Sequence, residues 1–169
     1  MDLEMLQAQI WLREADAGRI DIEGILKDDE AWVYRNYLRY AARSEVDTPY
    51  TFYIDCDGTD DNCWEMARYI KQLKGRTVAV IDDEAISGGL IIALACDHRI
   101  AVSGAKFAWH GSPKKPGNDW RSDEDRVDFI TERTTAPREL WEEKAESGKA
   151  YWFKAEEALE WGVIHEVKK

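Results

Sequence analysis

Basic residues are scarce in this 169-residue chain: 23 Lys and Arg stand against 34 Asp and Glu, for a formal net charge of -11 at pH 7. A nucleic-acid partner is therefore not expected, because binding to phosphates draws on clustered positive charge. Cysteine is equally sparse. Cys56, Cys63 and Cys96 are odd in number and form no close CxxC pair, so neither a disulfide framework nor a zinc site is indicated. Reduced, partly buried thiols in a cytosolic setting are the expectation. No apolar run approaches the roughly 20 residues that cross a bilayer. The N-terminus carries Asp2 and Glu4 in place of a basic and then apolar signal pattern. No internal repeat or low-complexity tract is visible. The chain reads as soluble and cytoplasmic, without a membrane partner, and its length suggests one domain over 1–169.

Hydrophobic residues make up 44%, enough for a core, and the eight tryptophans are read mostly as core or subunit-interface residues. Period-two alternation predicts a strand over Ile20–Ile25, and Val33, Tyr37, Tyr40 and Ala41 form a helical stripe within 29–44. Tyr50–Ile54 reads as a second strand, 55–61 as a loop, and Cys63, Met66, Ile70 and Leu73 as one face of a helix ending near Gly75. Strands are expected at 77–81, 99–102 and 106–109. Helices are expected at 124–133, 137–146 and 155–161, and a last strand at 163–167. Alternation of strand and helix argues for an α/β fold with parallel pairing and outer helices, whose reactive groups sit at the carboxyl ends of strands.

One run concentrates the chemistry. The buried strand at 77–81 runs into a turn, Ala85-Ile86-Ser87-Gly88-Gly89, that opens an apolar helix. A serine at that corner can hold its hydroxyl beside helix N-terminal N–H groups, which favour a developing negative charge. Lys106-Phe107-Ala108-Trp109 then delivers His110 from another strand end. Serine, histidine and an oxyanion site are the parts of a hydrolase.

These residues resemble the Clp protease proteolytic subunit. Ile54-Asp55-Cys56-Asp57-Gly58-Thr59 looks like its glycine loop, Ala85–Gly89 its nucleophile turn, Phe107–Pro113 its histidine segment and Ala155–Ile164 its closing helix and strand. The wider superfamily includes signal peptide peptidase A, near in Ser87-Gly88-Gly89, and the crotonases, near in Gly88–Ala101. The resemblance implies stacked strand-strand-helix (ββα) units of the ClpP/crotonase kind and a serine endopeptidase acting on peptides or unfolded proteins. Ser87 would be the nucleophile, His110 the base and Glu146 the acid, with the N–H groups of Thr59 and Gly88 as the oxyanion hole. Thr59 stands where the family usually has a second glycine, and Glu146 where it usually has aspartate. No metal or organic cofactor is implied. A homo-oligomer is, as a single ring or a smaller assembly, since the stretch from His110 to Glu146 is shorter than the handle through which the family's rings stack. An AAA+ unfoldase partner and a phage maturation role are both compatible.

Each assignment has a plainer rival. Ser87 could be a helix N-cap, and His110 a core histidine. Glu146 lies in an acidic segment where Glu142 or Glu143 could replace it. His98 and His165 match no motif. Asp55, Asp57, Asp60 and Asp61 lack the EF-hand spacing and read as turn and helix N-terminus. The lysine-bearing loop 113–123 would gate substrate entry. Two rival functions are a catalytically inactive scaffold subunit and a crotonase-like acyl-CoA enzyme whose Gly88-Gly89 corner would hold a thioester enolate.

Overall fold

Strands whose side chains alternate between buried and solvated faces set the frame. β1 (Arg19–Leu26), β2 (Tyr50–Gly58) and β3 (Thr77–Ser87) run parallel, and β2 alternates buried and half-buried along its length up to Cys56. The computed structural model describes residues 3–58, 60–111, 123–146 and 149–169. Thr59 and most of the 113–123 loop, to which the sequence assigned roles, lie outside the described residues.

Among the described residues the elements follow in the order α1 (Leu3–Asp16), β1, α2 (Asp28–Ala41), β2, α3 (Asp60–Ile70), β3, α4 (Gly88–Ala95), β4 (His98–Val102), β5 (Lys106–Trp109), α5 (Asp123–Arg133), α6 (Arg138–Glu146), β6 (Tyr151–Lys154), α7 (Ala155–Glu160) and β7 (Glu166–Lys168). The seven strands form one sheet of order β1-β2-β3-β4-β7, with β5 joined to the far half of β3 and β6 to β5. The expected parallel α/β sheet is therefore present, with one exception: β5 and β6 pair antiparallel. The core of Ile22, Phe52, Ile54, Ile81, Leu90, Ile92 and Leu94 lies between the sheet and α2–α4.

Several sequence boundaries move. The loop expected at 55–61 is strand as far as Gly58, because Cys56, Asp57 and Gly58 pair with Ala85, Ile86 and Ser87 after a bulge past Ile54. The same pairing extends β3 from Ile81 to Ser87. The last strand begins at Glu166 rather than Val163, since Val163 and Ile164 are buried in the turn where the Ile164 N–H bonds the Ala158 carbonyl. β4 begins one residue earlier than expected, at His98.

β5 is braced by aromatic rings. Phe107 stacks on Phe153 of β6 at 5.4 Å, Trp109 meets Trp141 of α6 edge-on at 6.0 Å, and Trp141 meets Trp161 at 5.8 Å. Such pairs contribute about 0.5–1.5 kcal/mol each beyond burial, and they fix the strand that ends in His110.

Candidate active site

Strand register brings the serine and histidine together. Gly58 lies opposite Ser87 at the ends of β2 and β3. On the other side Ile86 lies opposite Ala108, so the residues after Ala108 leave β5 beside the end of β3. The outcome is a hydrogen bond of 2.6 Å between Ser87 Oγ and His110 Nε2.

Ser87 is held in an unusual backbone. Its φ of 51° and ψ of -111° match the first central residue of a type II′ turn, which glycine favours, and Ser87 is the one non-glycine residue at positive φ among those described. A side chain there costs about 1–3 kcal/mol. No side-chain cap hydrogen bond is made to α4, so the N-cap rival does not account for the serine. Ser87→Gly is expected to be about 1 kcal/mol more stable than Ser87→Ala, because both lose the hydroxyl but only glycine relieves the turn. Urea unfolding of the two variants checks this; equal midpoints would contradict it.

His110 Nδ1 lies 2.7 Å from the Gly111 carbonyl oxygen. A carbonyl accepts only, so Nδ1 carries the proton and Nε2 keeps its lone pair toward Ser87. That is the tautomer a general base requires. Sequence patterns could not have found this partner, since a backbone carbonyl has no residue signature.

α4 starts immediately after Ser87, and its first N–H groups lie ahead of any intrahelical acceptor. Glycine is forced at its start: a Cβ on Gly89 would lie 2.3 Å from the Cys56 carbonyl oxygen. The far end is held by two arginines. Arg133 donates to the Leu94 and Ala95 carbonyls, both at 2.7 Å. Arg99 donates to the carbonyls of Cys96 (3.0 Å), Val163 (2.6 Å), Arg133 (2.7 Å) and Gly162 (3.1 Å). Burial lowers the Arg99 guanidinium to about 10, with Arg133 adding to the effect.

Gly88 is buried at the first position of α4. Glu146 ends α6 and is exposed, lining a cavity of about 280 Å³ with Asp123, Glu124, Arg138 and Glu142. Its neighbour Ala145 touches the histidine segment: a Cβ on Gly111 would lie 2.4 Å from the Ala145 carbonyl oxygen. Glu142 accepts from Arg138 Nε at 2.6 Å, and Glu143 from Lys144 at 3.1 Å. His98 and His165 stack at 5.0 Å at the β4–β7 edge. Partial burial, then Arg99 and His98, lower the His165 pKa, while its Nδ1 accepts from the Arg99 N–H at 3.0 Å. All three cysteines are buried, and burial raises Cys56 and Cys96 to about 12. Among the described residues no group of His, Cys, Asp and Glu is arranged to hold a metal, and no helix is long and apolar enough to cross a membrane.

A mostly parallel seven-stranded sheet of this order, flanked by helices, has a ClpP-like fold. The chain is similar to ClpP1 from Listeria monocytogenes, with a TM-score of 0.78 and 20% identity over 98% of this chain and 96% of that one. A point mutant of that protein matches at a TM-score of 0.76 and 18% identity, over 95% of this chain and 96% of its own. A peptidase from Plasmodium falciparum matches at 0.77 and 13%, over 94% of this chain and 99% of its own. No protein-family model matches the sequence, and no curated protein does.

Proposed function

We propose that this chain is a single-domain serine endopeptidase that cuts peptides or unfolded proteins. The observation that carries the reading is the 2.6 Å bond between Ser87 Oγ and His110 Nε2 at the start of α4. Ser87 Oγ attacks the scissile carbonyl carbon while His110 Nε2 takes its proton. The N–H groups of Gly88 and Thr59 receive the oxyanion. Collapse of the tetrahedral intermediate breaks the C–N bond, and the imidazolium gives its proton to the leaving amine. Water, deprotonated by His110, then cleaves the acyl-enzyme and frees Ser87. No step calls for a metal or organic cofactor.

Glu146 is the proposed acid; its neighbour Ala145 packs on Gly111, the residue after His110. Since the Gly111 carbonyl already sets the tautomer, Glu146→Gln is expected to lower kcat/KM less than tenfold, roughly 1 kcal/mol of transition-state stabilisation. Incubation with a denatured, dye-labelled protein tests both statements by mass spectrometry of the fragments. Internal cuts by wild type and by Glu146→Gln, absent with Ser87→Ala, are the expected result. Intact substrate with folded wild type would favour the inactive-scaffold reading.

Self-association is part of the proposal. Leu3, Met5, Leu6, Ile10 and Leu12 of α1 and Trp32, Val33 and Tyr40 of α2 are exposed, and apolar surface on this scale suits a subunit contact. The buried, weakly acidic thiols fit a reducing cytoplasm. Folded substrates would need an AAA+ unfoldase as partner.

A further inference from the structure

Cys63 is fully buried on the first turns of α3, and its sulfur is the nearest atom to two backbone positions at once. A Cβ built on Gly58 would lie 2.6 Å from Cys63 Sγ, and one built on Gly88 would lie 2.4 Å from the same sulfur. The two glycines also touch each other: the Gly58 Cβ position is 3.4 Å from Gly88 Cα, and that of Gly88 is 3.0 Å from the Gly58 carbonyl carbon. The sulfur thus fills the notch between the last residue of β2 and the first of α4. Gly58 precedes Thr59, and Gly88 carries the other N–H assigned to the oxyanion.

We infer that Cys63 is a positioning residue of the active site: the volume of its thiol sets the separation of the end of β2 from the start of α4, and with it the position of the Gly88 N–H beside Ser87. The inference rests on the peptidase reading above. Cys63 performs no covalent step in it. The sulfur acts as a spacer, and interiors packed at crystal density pass a change of one atom to their neighbours.

The surroundings of the two glycines differ, and that difference provides the test. Among the described residues the sulfur is the one contact at Gly58 shorter than 3.4 Å, so removing it opens room for a methyl group. At Gly88 the Cys63 Cβ, at 2.9 Å, and the Gly58 carbonyl carbon, at 3.0 Å, would remain. Gly58→Ala should therefore be rescued by Cys63→Ala, and Gly88→Ala should not.

The measurement is the maximal rate and half-saturation concentration for covalent labelling by a fluorophosphonate probe, with Tm recorded for every variant. Losing aim at an oxyanion should lower the maximal rate roughly 20-fold or more in Gly58→Ala and about fivefold in Cys63→Ala, with half-saturation changed less than about threefold. The Gly58→Ala/Cys63→Ala double variant should return to within about threefold of wild type, while Gly88→Ala/Cys63→Ala stays as slow as Gly88→Ala. A filler with a merely structural role would move Tm without this pattern of rescue. Should Gly58→Ala not fold, a slow Cys63→Ala beside a fast double variant supports the spacer. Cys63→Ala at the wild-type rate, with a double variant slower than Cys63→Ala, overturns it. Wild type that labels without rescue overturns this inference alone; folded wild type that never labels overturns the peptidase reading and this inference with it.

Discussion

His110→Ala is expected to slow acylation of Ser87 by a fluorophosphonate about 1,000-fold or more, in line with the loss of a nucleophile's general base. The hydroxyl of serine is a weak nucleophile at neutral pH, and in the proposed peptidase its activation falls to the His110 ring nitrogen 2.6 Å away. His110 is half-buried after the last residue of β5, whose own anchoring comes from Phe107 and Trp109. The alanine variant should therefore keep its Tm within about 3 °C of wild type, roughly 1 kcal/mol for a chain of this size. Labelling kinetics with parallel thermal melts check both halves. A rate within tenfold of wild type would mean that the Ser87–His110 bond does not activate the serine.

Arg99→Ala should produce the largest loss of stability away from the serine. Arg99 is 4% exposed, and its guanidinium donates to four backbone carbonyls, from the α4 terminus, the end of α5 and the turn after α7. Removing it takes the donor from those oxygens in a largely buried site. At about 1–3 kcal/mol for each buried group left unsatisfied, and with partial relaxation, a loss of about 3 kcal/mol or more follows. That corresponds to a fall in Tm of about 6–12 °C. Arg99→Lys should recover only part of it, since an ammonium cannot span the fork of acceptors. Chemical denaturation of the three proteins provides the check, and a change below about 1 kcal/mol for Arg99→Ala would show that the carbonyls find other partners.

The candidate site was legible where chemistry and local pattern coincide. Ser87 stood out because a serine before Gly88-Gly89 at the end of an apolar run has few structural uses, and His110 because it closes another such run. What linked them was not legible: the parallel register of β3 and β5, set by long-range pairing of Ile86 with Ala108. The extension of β2 to Gly58 was hidden for a related reason, since Asp55, Asp57 and Gly58 carry turn propensity that pairing with β3 overrides. α1 escaped because Leu3, Met5, Leu6, Ile10 and Leu12 are exposed while the positions that meet the core are just Trp11 and Ala15, too short a stripe to read. β6 escaped because four residues are too few for a period, and only pairing with β5 makes them a strand. Cys63 was read as core packing, which it is; its place between Gly58 and Gly88 needed the folded chain.

Whether Ser87 is an activated nucleophile separates a peptidase from an inactive scaffold. Wild type, Ser87→Ala and His110→Ala, each treated with a fluorophosphonate and read by intact mass and peptide mapping, measure this directly. The account predicts one adduct per wild-type chain, on Ser87, with none on either variant. Folded wild type that takes no adduct, or takes it on another residue, would contradict it.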